Sequence, residues 1–369
     1  MPSGVMTIVK QLTKYGINNQ VVSVGNTKNQ IKKISHIAAD LNSIGVQYRF
    51  TVAKFKNDYG VGSLRGLNGL LTSLPKPDLV VLHQIYTFST LLGYMYAKRY
   101  GIPYAVQPHG SLTRYHESDN KLIKTLAKWF LISKILREAD AIIVTCESER
   151  DDLNSWLQAK TYQLEFGADV SQFAYKDVSR PPVGSQNLRI VFIGRFDKKK
   201  NLSLVIRALP YIIEMYPALT LDVAGLGTAK EVRKLQTLIS SLKLEGNVKF
   251  HGWINSLKLQ ELFAAARLLV LPSENENFAI VVAEALSAGV PCVVSKFVGT
   301  AEIVAKHHAG EVIHDLTPIS VANGIMKVLQ GDEMKYREAA FEAVENSLDW
   351  SKIALRWKAL VTSLAYTKQ

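Results

Sequence analysis

The stretch from Leu268 to Thr300 constrains the fold most, because it reads as a strand, a loop, a helix and a second strand. The apolar run at 268–271 is short and stops at Pro272, which is typical of a buried parallel strand. A helix is predicted from Phe278 to Ala288, and 290–295 has the β-branched content of another strand. Together these elements predict one βαβ unit of a parallel sheet.

Two acids mark this unit, Glu276 in the loop and Glu284 on the helix. A helical repeat of about 3.6 residues per turn lets both border one crevice beyond the carboxyl end of the strand, where open α/β sheets bind ligands. The first amides of the predicted helix, from Phe278, Ala279 and Ile280, are suited to anionic oxygens. Taken alone, the two acids could be a general acid and base pair.

Strands and helices alternate through both halves of the chain, so each half is predicted to be a Rossmann-like domain with a parallel sheet. The helical pattern at 5–15 follows Pro2, Ser3 and Gly4 directly, with no strand before it. In a βαβ fold, a Gly loop that enters a helix normally follows a strand. We therefore expect either that the first strand of the N-terminal domain is absent or that the start codon is assigned late.

The chain length of 369 residues exceeds one ordinary core and predicts two domains. The Pro-, Gly- and Ser-rich stretch DVSRPPVGSQN at 177–187 is interpreted as the linker between them. The predicted domains are therefore 1–176 and 188–348. No apolar run approaches the roughly 20 residues of a membrane span, and no signal peptide is visible.

Basic residues are concentrated in the first part of the chain, where 1–116 holds 13 Lys or Arg against three acids, within a net charge of +12. This balance favours an anionic partner, such as a phosphorylated substrate, an anionic membrane face or nucleic acid. A merely soluble basic surface explains it equally well. No aromatic-interleaved basic motif or recognition helix supports nucleic acid, so we expect none as a partner.

A basic amphipathic helix is predicted at 121–137, with Trp129 and Phe130 among its lysines. Such a helix can lie on a membrane, although an ordinary surface helix is the favoured interpretation. Cys146 and Cys292 each lie in or beside a strand-like run, so we expect buried thiols in a reducing compartment.

Three strand-end loops carry further candidate chemistry. In GRFDKKKN at 194–201, Gly194 allows close backbone approach, while Arg195 and Lys200 are suited to a diphosphate. Gly225 follows another strand and keeps a crevice open, and His109 lies on a Gly-flanked loop after a third. A solvated turn, an ordinary strand-end glycine and a structural histidine are the alternatives.

The sequence lacks an Asp-x-Asp triplet, a metal-spaced His or Cys cluster, a phosphate-binding GxxxxGK[ST] loop and a Gly-x-Ser-x-Gly elbow. No metal site is therefore predicted.

The motifs PSENENFAIVVAEALSAGVPCVVS, GRFDKKKN, LDVAGLG and VKFHGW together resemble the retaining glycosyltransferases of family four (group one). The similarity is dense from about Val191 to Glu302 and looser before it, where HQIYTFSTLLGYMYAKRYGIPYAVQPHGSL is most family-like. The resemblance implies an α/β protein of the GT-B fold, with two facing Rossmann-like domains with parallel sheets. It also implies that residues 349–369 form a C-terminal helix crossing back to the N-terminal domain.

The resemblance implies roles for individual residues. Arg195 and Lys200 would hold the donor diphosphate, Glu284 the ribose and Glu276 the sugar hydroxyls. His109 would face the reacting sugar, which makes His109, Arg195, Lys200 and Glu276 the expected catalytic residues. The remaining donor-binding residues would be the phosphate-loop glycine Gly4, the small residues Gly194 and Gly225, the base-side residues His251, Gly252, Trp253 and Ile254, and the loop residues Asn277, Phe278 and Ala279.

The implied activity is the metal-independent transfer of a hexose from a UDP- or GDP-linked sugar, as co-substrate, to a saccharide or lipid-linked saccharide, with retention of configuration. The expected role is surface polysaccharide synthesis in the cytoplasm, and the basic N-terminal half could dock at the anionic inner face of the plasma membrane. Three positions depart from the family pattern: Ala279 replaces a usual Gly, Phe166 a usual Asn, and Ser3-Gly4 the commoner Gly pair. With the missing strand, these leave open an alternative, an N-terminally truncated, inactive nucleotide-sugar-binding homologue.

Overall fold

The computed structural model describes residues 3–25, 41–43, 45–52, 69, 71, 73, 75–112, 125–168 and 188–366. The linker predicted at 177–187 lies outside these residues. The chain forms two compact units: unit 1 comprises Met1–Phe166 with Trp350–Gln369, and unit 2 comprises Gly167–Asp349. Each unit is described by itself.

Unit 1 alternates helices and short strands. In chain order its first elements are α1 (Ser3–Lys14), β1 (Gln20–Gly25), β2 (Gln47–Val52), β3 (Val80–His83), α2 (Phe88–Tyr100), β4 (Tyr104–Gln107), α3 (Thr125–Glu138), β5 (Ala141–Val144), α4 (Glu147–Asp151), α5 (Ser155–Gln158) and β6 (Thr161–Gln163). Within the described residues, β1 pairs with β2, and a separate parallel sheet has the order β3-β4-β5-β6. Every residue of β4 and β5 is buried, as expected for parallel strands covered on both faces.

Unit 2 repeats the pattern more regularly. Its elements are β7 (Arg189–Ile193), a 3-10 turn (Lys198–Lys200), α6 (Leu202–Ile213), β8 (Thr220–Ala224), α7 (Ala229–Ser241), β9 (Val248–Gly252), α8 (Ser256–Ala265), β10 (Leu268–Leu271), α9 (Ile280–Ser287), β11 (Cys292–Ser295), α10 (Ala301–Lys306), β12 (Gly310–Ile313), α11 (Pro318–Gln330), α12 (Glu333–Ala343) and a π turn (Val344–Leu348).

The parallel sheet of unit 2 has the order β12-β11-β10-β7-β8-β9. The chain builds outward from β7 through β8 and β9, then returns to the other side of β7 with β10. The loops that follow β7 and β10 therefore diverge at a topological switch point, which is where open α/β sheets form a ligand crevice.

The final helix, α13 (Trp350–Tyr366), returns to unit 1, where it packs against α1. An ion pair joins Arg356 of this helix to Glu165. Unit 1 is therefore assembled from two separate stretches of chain, whereas unit 2 is one contiguous stretch.

Several predicted elements differ at their boundaries. The helix predicted from Phe278 begins at Ile280, and the basic helix predicted from Lys121 is described from Thr125. Lys121 and Lys124 lie outside the described residues. Gly4, predicted to lie in a phosphate loop, instead falls in the first turn of α1. The two cysteines, Cys146 and Cys292, are buried thiols, as predicted.

Candidate functional site

Three strand-end loops of unit 2 are joined by their backbones. The Gly194 amide donates to the Ala224 carbonyl at 3.0 Å, and the Gly225 amide donates to the Gly252 carbonyl at 2.8 Å. The structure therefore brings Gly194, Gly225 and Gly252 together at the ends of the adjacent strands β7, β8 and β9.

Gly225 is required by this close approach. Its φ is 141°, and a Cβ atom built on it would lie 1.8 Å from the Gly194 carbonyl oxygen. Residues with a side chain rarely adopt that conformation, and none fits that space. The carboxyl ends of β7 and β8 thus meet backbone to backbone at this position.

Lys200 is positioned by the short turn that leads into α6. The Asp197 side chain caps this turn by accepting from the Lys200 amide at 3.2 Å. Asn201 then adopts a left-handed conformation with φ 54°, and its side chain donates to the Pro272 carbonyl at 3.2 Å. The loops after β7 and β10 are therefore tied together across the switch point.

Lys200 and Glu276 form an ion pair across these two loops. The Lys200 Nζ lies 2.8 Å from Glu276 Oε1, and the side chains are 13% and 20% exposed. A pair this sheltered is only weakly screened by solvent, yet both groups keep some accessible surface. A predicted phosphate-binding cation and a predicted sugar-binding carboxylate are thus adjacent.

The backbone of Glu276 is held on both sides. Its amide donates to the Phe297 carbonyl at 3.0 Å, and its carbonyl accepts from the Gly299 amide at 2.8 Å. Glu276 therefore pairs like a strand residue with the loop after β11. This pairing fixes the backbone from which the Glu276 side chain extends.

Ala279 separates this loop from α9. It has φ 64° and ψ 74°, a left-handed conformation that cannot continue a helix, so α9 begins at Ile280. The helix therefore begins two residues after the predicted Phe278, and Ala279 is its N-cap residue. The same conformation explains why glycine suits this position, and alanine holds it at a cost of about 1–3 kcal/mol.

Two further charged residues that were predicted to bind the donor are Arg195 and Glu284. The Arg195 side chain is 80% exposed and lies 3.1 Å from Asp197, so it is not part of the Lys200–Glu276 pair. Glu284 lies on α9, and burial raises the pKa of its carboxyl to about 7. This group therefore changes charge near neutral pH.

At the end of β9, His251 is held by an acid that sequence reasoning missed. Its Nε2 lies 2.6 Å from Oδ1 of Asp222, a side chain only 1% exposed on β8. Trp253, two residues further, is 73% exposed, and Ile254 is partly buried. His251 thus orders this loop, while the Trp253 indole is available for contact.

In unit 1, His109 lies on the loop after β4 with φ 53°. Its Nε2 is 3.0 Å from Nδ1 of His83, the last residue of β3. The rings of His109 and Phe166 also stack, with centroids 6.2 Å apart. Burial lowers the pKa of His109 to about 4, so this imidazole is neutral at physiological pH.

The backbone beside His109 is fixed by Glu149 of α4, a buried carboxylate. Its Oε1 accepts from the Gly110 amide at 2.7 Å, and its Oε2 accepts from the Thr145 amide at 2.9 Å. Sequence reasoning missed both His83 and Glu149. Their only signal was position: His83 is the last residue of β3, and Glu149 lies on α4, the short helix that follows β5.

Among the described residues, no cluster of three or more His, Cys, Asp or Glu side chains could hold a metal ion. No helix in the described part of the chain is both long and apolar enough to cross a bilayer.

Two family models match the chain. "Glycosyl transferases group 1" matches residues 177–345, and "Glycosyl transferase 4-like domain" matches residues 5–163. The matched regions correspond to most of units 2 and 1, respectively.

Curated relatives carry glycosyltransferase names. An uncharacterized glycosyltransferase of Methanocaldococcus jannaschii is 34% identical over 234 residues, covering 60% of this chain and 56% of the relative. A phosphatidyl-myo-inositol mannosyltransferase of Mycobacterium tuberculosis is 26% identical over 205 residues, covering 54% of this chain and 53% of the relative. The chain therefore spans about half the length of these curated relatives.

A solved structure matches nearly the whole chain. The crystal structure of HepE from Anabaena, in complex with UDP and glucose, has a TM-score of 0.73 at 18% identity and covers 98% of this chain and 96% of that chain. The prediction of a GT-B fold is thereby confirmed.

Proposed function

The chain belongs to the group 1 glycosyl transferases of family four, and from this premise we propose that it moves a hexose from a nucleotide sugar to a saccharide or lipid-linked saccharide, with retention of configuration. The donor would be UDP- or GDP-linked. UDP is the nucleotide in the HepE complex. The product would belong to a surface polysaccharide.

The Lys200–Glu276 ion pair carries the proposal. Its two members lie 2.8 Å apart at the switch point of the sheet, beside the bare backbone of Gly194 and Gly225. A diphosphate needs a fixed cation, and a sugar needs a hydrogen-bond acceptor for its hydroxyls. The two charges are suited to bind the two halves of one nucleotide sugar.

In the proposed reaction, the bond between sugar C1 and the diphosphate oxygen breaks, and its electrons remain on the diphosphate. The acceptor oxygen forms the new bond on the same face of the sugar, and its proton passes to the leaving phosphate. Lys200 stabilises the diphosphate more as negative charge develops, which lowers the barrier. The exposed Arg195 can turn from Asp197 to the same phosphates, so these side chains supply the positive charge and the proposal needs no metal.

We propose three further contacts with the donor, made by Glu284, Trp253 and His109. Glu284 would accept hydrogen bonds from the ribose hydroxyls, and the exposed Trp253 would contact the base. His109 would face the sugar as a neutral imidazole.

A lipid-linked acceptor is supported by charge and by one relative. Residues 1–116 hold 13 Lys or Arg against three acids, and Phe130 on α3 is 67% exposed. The Mycobacterium relative acts, by its name, on phosphatidyl-myo-inositol. We expect the protein to float with anionic liposomes at low salt, and failure to float would remove the membrane part of the proposal.

Release of nucleoside diphosphate tests the activity. With a panel of UDP- and GDP-hexoses, we expect release that depends on added acceptor and is lost in Lys200→Met. Binding of nucleotide with no release from any donor would instead support the inactive homologue. That alternative is not favoured, because the relatives carry glycosyltransferase names.

A further inference from the structure

We propose that His83 is a positioning residue that fixes the tautomer of His109 and so orients it toward the reacting sugar. The catalytic consequence rests on the proposed function. The hydrogen bond between the two rings does not, and it is measurable without turnover.

The two histidines meet because of strand register. His83 pairs with Gln107 in the parallel ladder of β3 and β4, and His109 follows two residues later. Nδ1 of His83 lies 3.0 Å from Nε2 of His109, and the ring centroids are 5.2 Å apart with planes 22° from parallel. This distance is that of a hydrogen bond between ring nitrogens.

A bond between two neutral imidazoles couples their tautomers. Each ring carries one N–H, so only one of the two facing nitrogens can hold the shared proton. If His83 donates, then His109 carries its own proton on Nδ1. If His109 donates, its Nδ1 has a lone pair instead. The state of the outer nitrogen of His109, the atom left for a ligand, is therefore tied to the proton arrangement of His83.

The surroundings keep the pair neutral. Burial lowers the pKa of His83 to about 3, with charge repulsion from His109 as the second cause, and burial lowers the pKa of His109 to about 4. On the other elements, Phe166 stacks on His109 and contributes no charge, while the Glu149 carboxylate accepts from the amides of Gly110 and Thr145.

The loop backbone has its own support. Glu149, which lies on a different element, α4, accepts a hydrogen bond from the Gly110 amide at 2.7 Å. Loss of the His83 ring nitrogens should therefore leave the loop in place and change only the proton arrangement and the ring orientation of His109.

Two substitutions separate these effects. His83→Phe keeps an aromatic ring but has no nitrogen, whereas His83→Asn retains a polar atom near the position of Nδ1. Nitrogen-15 NMR of the full chain, with histidine labelled, reports the tautomer of His109 directly. The matched control is His307→Phe, which removes a half-buried histidine of unit 2 whose Nε2 contacts Ser347 Oγ at 2.9 Å.

We expect the wild-type spectrum to show one tautomer at His109, with one protonated and one bare nitrogen. In His83→Phe the two nitrogen shifts should move toward an average, and kcat should fall by up to about a hundredfold with little change in the KM for the donor. In His83→Asn, the nitrogen shifts of His109 and kcat should both return most of the way to their wild-type values. His307→Phe should change neither the shifts nor kcat.

An unchanged His109 tautomer in His83→Phe would overturn the proposal, as would an equal loss in His83→Phe and His83→Asn. If the wild-type enzyme releases no nucleoside diphosphate from any donor, the proposed function fails. The NMR comparison would still decide whether His83 sets the tautomer of His109.

Discussion

The Lys200 ammonium lies 2.8 Å from the Glu276 carboxylate, although the two residues follow different strands, β7 and β10. These strands are neighbours where the order of the sheet reverses. In this arrangement each charge is neutralised by the other. A nucleotide sugar must insert its phosphates and its sugar into this pair.

This pairing predicts opposite effects of Glu276→Gln on binding and on turnover. Removal of the carboxylate leaves Lys200 free for phosphate, so free nucleoside diphosphate should bind about fivefold or more tightly. Transfer should fall, because the sugar loses its acceptor. Calorimetry and a release assay measure the two effects, and Glu274→Gln in the same loop is the control. Weaker binding of the diphosphate in Glu276→Gln would contradict the role given to this ion pair.

Lys200→Met should reduce kcat about a hundredfold or more, since the leaving diphosphate loses a fixed cation. Lys198→Met is the matched control, because Lys198 lies in the same turn but is exposed. It should retain nearly full activity. Equal losses in both variants would indicate that the turn acts only through its net charge.

Gly225→Ala should destabilise unit 2 and abolish donor binding. The new Cβ would meet the Gly194 carbonyl oxygen at 1.8 Å, and the φ of 141° alone should cost on the order of 1–3 kcal/mol. Denaturant unfolding measures the loss. Gly246→Ala is the control, since nothing lies within 4 Å of its Cβ position, and its stability should hardly change. Wild-type stability in Gly225→Ala would show that the two strand ends can separate freely.

Donor affinity should depend on pH through Glu284. Burial raises the pKa of this carboxyl to about 7, and only the carboxylate accepts from both ribose hydroxyls. Protonation below about pH 7 should therefore weaken binding, by roughly tenfold per pH unit once the neutral form dominates. Glu284→Gln should bind weakly at all pH values, without this slope. A wild-type Kd that stays constant from about pH 8 down to about pH 6 would contradict the ribose role.

The same raised pKa affects folding with a defined sign. Between the ordinary pKa of a glutamate and the folded value of about 7, the folded protein binds more protons than the unfolded chain. The contribution of Glu284 to the free energy of unfolding therefore falls as pH rises through this window. Glu284→Gln should remove that decrease, as measured by denaturant unfolding at several pH values.

The sequence was sufficient to predict that Lys200 and Glu276 lie at the same edge of the sheet. Both follow apolar runs that are typical of parallel strands, and the carboxyl ends of such strands share one edge. Their direct ion pair was not predictable, because it depends on β10 lying next to β7, an order that local patterns do not encode.

The missed features depend on backbone conformation and on register. Ala279 has a helix-forming side chain, yet its backbone adopts φ 64°, so the helix begins later than its apolar period indicates. His83 is an ordinary strand-end residue until the ladder places it opposite Gln107 and thus near His109. In the sequence, Asp222 is an isolated acid within the apolar strand β8. Its role becomes visible only from its contact with His251 on the neighbouring strand β9.

The return of α13 to unit 1 has a consequence for synthesis. A ribosome makes residues 167–349 in one uninterrupted run, so unit 2 can fold as soon as it has emerged. Unit 1 must wait, because Trp350–Tyr366 is translated after all of unit 2. During that interval the apolar face of α1 lacks the helix that packs on it.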